Sequence, residues 1–264
     1  MVTSGPVAII TGAARGIGAA TARMLAANGY RLVLVDRCAD DDLLGYPLAT
    51  KADLDAVVAD CGAGTAAGVV ADVRDQAGLD GAVGVAVDRF GGLDAAVAVA
   101  GCIAGDVAWD SADAVWDTMI DVNLGGVRRL AKAAVPAMLQ RPAPRGGRFI
   151  AVSSAGGTYG LPLLTAYTAA KHGVHGFVRS LAAELGPHGI TANAVAPGST
   201  TTAMLEASAA IYGLTDTTEF SVHHQLGRLV APEEVAALIA WLCTPQSAAI
   251  TGAVLPVDAG MTAG

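Results

Sequence analysis

The sequence predicts a single α/β domain, a doubly wound parallel sheet of seven strands with helices on both faces. Short apolar runs alternate with helix-length segments throughout, the pattern of strand–helix–strand units. The runs are continuously apolar instead of alternating, as strands covered on both faces are. No internal repeat, low-complexity tract or linker interrupts the chain, so residues 1–264 are expected to form one domain.

The first strand is expected at residues 7–11, running into Thr11-Gly12-Ala13-Ala14-Arg15-Gly16-Ile17-Gly18 and a helix over 16–28. Gly12 lets the chain turn off the strand. Gly16 and Gly18 let backbone approach a pyrophosphate and let helix pack on sheet, while the helix N-terminus offers N–H donors to the phosphates. In this strand–turn–helix setting the glycines form a Rossmann-type dinucleotide signature. The second strand, 31–36, closes on Asp36, whose carboxylate suits adenosine ribose hydroxyls and repels a 2′-phosphate. Arg15 and Arg37 are the cations available to such a phosphate, but the like-charge clash with Asp36 outweighs them, so NAD is expected over NADP.

Residues 37–50 exceed what a strand–helix connection needs, and they carry Asp40-Asp41-Asp42 and then Tyr46-Pro47-Leu48. Thr50, with Asp53 three residues on, resembles a capping box opening the next helix. Strands follow at 66–72 and 93–100 around a helix at 75–90. A long helix at 112–139 precedes a strand at 148–153, and a helix at 166–185 precedes a strand at 190–196. A second long connection, 199–228, is rich in Thr, Ala and isolated apolar side chains and is expected to be a substrate-binding loop. A helix at 232–243 and a strand at 252–257 complete the order.

Composition excludes several classes. Mean hydropathy is +0.50, yet the longest uninterrupted apolar or Gly run is residues 95–105, far below the roughly 20 residues of a membrane-spanning helix. A net charge of −8 and the absence of a Lys/Arg stripe argue against a nucleic-acid partner. Cys38, Cys61, Cys102 and Cys243 have neither Cys-x-x-Cys spacing nor adjacent His pairs, so thiols are expected and a metal is not. The first residues carry no basic stretch ahead of the first strand, from which no signal peptide and a cytoplasmic location are expected.

The chemistry is expected around Tyr167 and Lys171. Four residues apart on one helix, they face the same way. A phenol titrates near pH 10, too high for a base at neutral pH, and a fixed cation beside it lowers that value. Ser154, directly after a strand, is placed to hydrogen-bond the same substrate oxygen. Asn123 falls inside an apolar helix, where a buried amide must be hydrogen-bonded, and one role for it is holding a water next to a Lys.

Taken in order, the glycine turn, Asp36, Asp72-Val73, Asn123, Ser154, Tyr167-x-x-x-Lys171 and Pro197-Gly198 resemble the short-chain dehydrogenase/reductase family across nearly the whole chain. The resemblance implies that Tyr167 is the general acid/base and that Ser154 positions the carbonyl or alcohol oxygen. It implies that Lys171 lowers the phenol and holds the nicotinamide ribose, and that Asn123 anchors a relay water. Asp72 and Val73 would contact adenine, Ala100 and Gly101 would pack beside the adenosine, and Gly198 to Thr202, Thr200 included, would contact the carboxamide. A homotetramer is implied as well. The chain departs from the family where Ala98-Val99-Ala100-Gly101 replaces Asn-Asn-Ala-Gly, because the missing Asn normally ties neighbouring strands.

The stretch Asp36-Arg37-Cys38 with Tyr46-Pro47-Leu48-Ala49-Thr50, the stretch 195–204 and the ending 255–260 are similar to the subgroup coupled to mycofactocin, a peptide-derived redox carrier. In that subgroup the inserted segment is thought to fold over NAD that stays bound between turnovers. This implies an inserted cofactor flap at 37–50, placed to cover the adenosine edge. Apolar residues near the nicotinamide face, Cys102, Ile103, Gly156, Thr158, Tyr159, Leu161 and Leu163, join Met204, Leu205, Ile211, Tyr212, Leu214 and Phe220 from the second long segment. They suggest a hydrophobic secondary alcohol or ketone. His223 and His224 are expected to be exposed at the surface instead of at the pocket mouth. The alternatives are an NADP-dependent 3-ketoacyl-type reductase with exchanging cofactor and a non-catalytic dinucleotide-binding regulator. An enoyl reductase is disfavoured, since that group widens the Tyr–Lys spacing.

Overall fold

A computed structural model describes residues 5–263. Residues 1–4, on which the signal-peptide expectation rests, and residue 264 lie outside the described residues. The elements follow the order β1 (Val7–Thr11), α1 (Gly16–Ala27), β2 (Arg31–Asp36), α2 (Lys51–Asp60), β3 (Ala66–Val70), α3 (Gln76–Phe90), β4 (Ala95–Ala98) and α4 (Asp113–Ile120). There follow α5 (Gly126–Leu139), β5 (Arg148–Val152), α6 (Thr165–Leu185), β6 (Thr191–Pro197), α7 (Ala203–Tyr212), α8 (Pro232–Leu242) and β7 (Val254–Val257).

The seven strands form one parallel sheet in the order β3-β2-β1-β4-β5-β6-β7. The strand order reverses between β1 and β4, which pair from Ala8↔Ala95 to Thr11↔Ala98. A crevice opens beyond the carboxyl ends of strands at such a reversal, the standard ligand position in open α/β sheets. The central strands are mostly apolar because both faces of the sheet are covered. Val7, Ile9, Val33 and Val35 pack with α3, α5 and α6, whereas Ala8, Ile10, Leu32 and Leu34 pack with α1, α2 and α8. No helix among the described residues is long and apolar enough to cross a membrane.

The capping box expected at Thr50 and Asp53 is present: Thr50 Oγ1 accepts from the Asp53 N–H, and the Asp53 carboxylate accepts from the Thr50 N–H. Two expectations need correction. The helix expected over 112–139 is broken into α4 and α5 by a single π turn, Asp121–Gly125. Its cause is Asn123, whose Nδ2 donates at 3.0 Å to the Met119 carbonyl. In a regular α-helix that carbonyl would serve the Asn123 N–H, so the turn widens. The connection 199–228 is not plain loop either, since it contains α7 and a 3₁₀ segment, Thr217–His223. Its apolar residues look scattered because α7 buries only Leu205 and the small Ala207, Ser208 and Ala209. By contrast, residues 37–50 contain neither helix nor strand.

Candidate active site

The crevice begins at the glycine turn, where φ of Gly12 is +65°. A Cβ on Gly12 would lie 2.7 Å from the Ala100 Cα, and one on Gly18 would lie 2.0 Å from the Gly12 carbonyl oxygen. These two glycines therefore serve close packing of the turn against the chain after β4 and against α1. Gly16 faces the other way, where a Cβ would meet Thr202 Cγ2 at 3.0 Å. No side chain caps the N-terminus of α1 and its first turn holds no acidic residue. Its first N–H groups stay available to an anion.

Thr11 makes up for the departure at Ala98. Its Oγ1 accepts from the N–H groups of Val99 at 3.2 Å and Ala100 at 3.3 Å, so a β1 hydroxyl ties the strands where the family uses an amide. The following strip is held from behind, since Asn123 Oδ1 accepts from the Cys102 N–H at 3.2 Å and Asn123 Nδ2 donates to the Cys102 carbonyl at 3.0 Å. A Cβ on Gly101 would stand 2.8 Å from Asn123 Oδ1 and 3.6 Å from Lys171 Nζ, so only glycine fits there.

Two adjoining cavities fill the crevice. The larger, about 790 Å³, is lined by Ser154, Tyr167, Lys171, Pro197, Gly198 and Thr200 among others. The smaller, about 230 Å³, is lined by Gly12, Arg15, Gly18, Asp36, Arg37, Asp72, Val73 and Ala100. Ile17, Gly101 and Thr202 border both. Every site residue read from the sequence thus lies on this crevice except Asn123, which is 0% exposed and has its side chain committed to Cys102 and Met119. Its amide acts as a splint behind the wall.

Ser154 lies two residues past β5, and its Oγ accepts from the Gly156 N–H at 3.0 Å, which fixes it at the mouth of a short 3₁₀ turn. Tyr167 and Lys171 share one buried face of α6. Lys171 Nζ donates to the Val152 carbonyl at 3.0 Å and stands 5.6 Å from the Tyr167 ring centre. Burial pushes the Tyr167 phenol up, and the neighbouring Ser154 hydroxyl only partly offsets this. The same burial lowers Lys171 to about 8. Desolvation thus acts on both groups, and Val152 takes one of the three Lys171 donors. Behind them Ser153 Oγ donates to the Lys171 carbonyl at 3.1 Å and lies 2.8 Å from His175 Nε2. Burial lowers His175 to about 4, so it is neutral at pH 7.

In the smaller cavity, Asp36 accepts from the Ala14 N–H at 3.0 Å and the Cys38 N–H at 3.3 Å. Arg15 is paired with Asp53 at 2.8 Å. Arg37 is paired with Asp41 at 2.5 Å and lies 3.4 Å from Asp72, which is itself held by Arg74 at 2.7 Å. The segment 37–50 lines this cavity through Asp41, Leu44, Tyr46, Pro47, Leu48 and Ala49. Leu44 is buried against the cluster that holds Cys102, Met119 and Tyr167, and the Tyr46 hydroxyl accepts from the Ile103 N–H at 3.1 Å.

Sequence reasoning missed Asp41, Arg74, Glu219 and Met261 as lining residues. Asp41 was legible only as one of three consecutive Asp, and the others carry no local signal. On the substrate side Ile103, Tyr159, Leu161, Met204, Tyr212 and Phe220 line the larger cavity, whereas Thr158, Leu163 and Ile211 do not. His223 lines it too. His223 is exposed as expected, whereas His224 is buried, accepting from the Ser199 N–H at 3.2 Å and bonded to the Arg228 carbonyl at 2.5 Å, which corrects the expectation of a surface His there. Among the described residues no group of three or more His, Cys, Asp or Glu is placed to hold a metal.

A family model described as "Enoyl-(Acyl carrier protein) reductase" matches residues 12–262. The chain is 39% identical to a (-)-trans-carveol dehydrogenase of Rhodococcus erythropolis, over 98% of each chain. It is 38% identical to the "Short-chain reductase protein NovJ" of Streptomyces niveus, over 96% of this chain and 93% of that one. Among solved structures, a carveol dehydrogenase from Mycobacterium avium in complex with NAD superposes with a TM-score of 0.93 at 35% identity, covering 100% of this chain and 99% of the other. Fold, crevice and whole-length identity agree: the chain belongs to the short-chain dehydrogenase/reductase family.

Proposed function

We propose that this protein is an NAD-dependent oxidoreductase that interconverts a hydrophobic secondary alcohol and its ketone. The observation that carries this reading is the Tyr167 hydroxyl, buried beside Ser154 and Lys171 on the wall of a mostly apolar cavity of about 790 Å³. The crevice fits NAD in three places: the uncapped α1 N-terminus for phosphate, Asp36 for ribose hydroxyls, and the Gly198–Thr202 stretch beside Lys171 for the nicotinamide end. Bound NAD supplies the hydride acceptor or donor. The chain supplies the proton: Tyr167 takes it from the alcohol or gives it to the ketone, while Ser154 hydrogen-bonds the same oxygen. Burial alone makes the phenol a poor base, so Tyr167 needs a cation in the same dry site, and Lys171 on the next turn is the one the chain provides. A spacing of four between Tyr167 and Lys171 sets enoyl reduction aside.

The relatives named as carveol dehydrogenases act on a cyclic terpenoid alcohol, and the apolar lining here supports an alicyclic or terpenoid substrate. The folded-in flap supports NAD retained between turnovers and reoxidised by mycofactocin. A homotetramer and a cytoplasmic location complete the reading. The four cysteines, all free, suit a reducing compartment. The decisive experiment is an alcohol panel run with free NAD and, separately, with an artificial electron acceptor, after assaying the denatured protein for released NAD. Turnover confined to small charged substrates would overturn the substrate class. Protein purified empty that readily reduces free NAD would overturn retention, and a monomer in light scattering would overturn the tetramer.

A further inference from the structure

We infer that Asp41, delivered by the flap, is a second cofactor-selecting carboxylate: it occupies Arg37 and Arg74, the two guanidiniums beside Asp36, and so withholds them from a 2′-phosphate. The inference rests on the reading of this crevice as an NAD site.

Arg37 directly follows Asp36 at the end of β2, and Arg74 lies just past β3, with both lining the smaller cavity. Two unpaired guanidiniums at this place would form a forked phosphate site, the geometry arginine serves best. They are not unpaired. Asp41 Oδ2 stands 2.5 Å from Arg37 Nη1 and 3.0 Å from Arg74 Nη2. Asp72 meets the same Arg74 Nη2 at 2.7 Å and its Nε at 3.1 Å, and lies 3.4 Å from Arg37 Nε. Counting Asp36 and the Arg15–Asp53 pair, three cations and four carboxylates leave the adenosine end with one net negative charge. A 2′-phosphate entering there adds a charge of about −2 and must displace Asp41 from both arginines at once.

Asp41 is built into this position. Its Oδ1 accepts from the Leu43 N–H at 3.2 Å and its carbonyl accepts from the Leu44 N–H at 2.9 Å, a tight local turn. The Leu44 side chain, buried with Cys102 and Met119, anchors that turn. The Asp41 side chain is only 10% exposed. Burial raises its carboxyl, but the hydrogen bonds from Arg37, Leu43 and Arg74 outweigh this and hold it below the usual carboxylate range. Asp36 and Asp41 therefore act in series: Asp36 repels the phosphate, and Asp41 denies it a cationic partner.

The test is equilibrium binding of NAD+ and NADP+ to cofactor-stripped wild type, Asp36→Asn, Asp41→Asn and the double variant, with thermal melts as the folding control. Asp36→Asn alone is expected to gain less than threefold in NADP+ affinity. Adding Asp41→Asn is expected to gain at least a further tenfold, and Arg74→Gln on top is expected to abolish that gain. Asp41→Ser keeps an acceptor for the Leu43 N–H and serves if the Asn variant melts early. Tyr46→Phe loosens the flap without freeing an arginine and is the structural comparison. If Asp41 variants weaken NAD+ and NADP+ by one common factor, as Tyr46→Phe does, Asp41 only anchors the flap and the inference falls. Wild type that binds no NAD+ would overturn the underlying reading of the crevice instead.

Discussion

The two ends of the crevice are built on different principles. The catalytic end is dry and nearly chargeless: Tyr167, Lys171, Cys102 and Asn123 are buried, and each is fixed by hydrogen bonds to backbone or by packing within a helix. The adenosine end is a lattice of exchangeable ion pairs, Arg15–Asp53 and Arg37–Asp41–Arg74–Asp72, covered by a segment without helix or strand. Exposed or half-exposed pairs contribute modestly, whereas buried hydrogen bonds are costly to break. On the proposed function, the first end would hold chemistry in register and the second would choose and retain the cofactor.

If this contrast is right, damage at the catalytic end costs turnover and stability, and damage at the adenosine end costs selectivity and residence time. The largest effect is expected from Tyr167→Phe, which should lower kcat by roughly 10²–10⁴ with NAD affinity unchanged. Comparable turnover of both proteins, or loss of NAD binding, would break the assignment. Asn123→Ala should destabilise by about 3 kcal/mol, because it strands the Cys102 and Met119 backbone groups. Chemical denaturation measures this, and a change below about 1 kcal/mol would show that the π turn does not depend on the amide.

Acid stability gives a smaller effect. His175 is held at about 4 when folded, below the ordinary histidine value. Between pH 6.5 and 4 the unfolded chain therefore takes a proton that the folded one refuses, and stability falls as pH is lowered through that window. The loss should reach roughly 2 kcal/mol and flatten in His175→Asn, as read from melting temperature against pH. A wild-type slope that persists in the variant would assign it to other groups. The smallest effect belongs to the other end: Tyr46→Phe should speed NAD release about fivefold, the worth of one hydrogen bond, and leave the melting temperature of the stripped protein within about 2 °C. An equal loss of stability would erase the distinction between the two ends.

The same contrast explains what could be read from the sequence. Tyr167 and Lys171 are neighbours through helical periodicity alone, Gly12, Gly16 and Gly18 lie in one turn, and Thr50 with Asp53 forms a local cap, so short-range spacing sufficed. The seven-stranded parallel sheet also followed, because continuously apolar runs are those of strands covered on both faces. Arg74 meets Asp41 across a separation of 33 residues, and His224 reaches Ser199 across 25, contacts that no local pattern announces. Helix α7 was hidden for another reason: it buries mostly small side chains, so its amphipathic period is faint, although Gly213, in the left-handed conformation at φ 67°, marks its end. The π turn was hidden because one amide inside an apolar run reads as a buried polar residue, and only its partners reveal that it has opened the helix.

The bond from the Ile103 N–H to Tyr46 has a consequence for observation. Cys102, one residue earlier, is clamped by Asn123, so the strip stays put while the flap lifts. Ile103 is 5% exposed, and its amide proton is shielded by a partner that leaves only when the flap does. Deuterium uptake at that one amide therefore counts flap openings directly. On the proposed retention of NAD, uptake at Ile103 is expected to slow when NAD is bound, and it can be read in the intact protein without any substrate at hand.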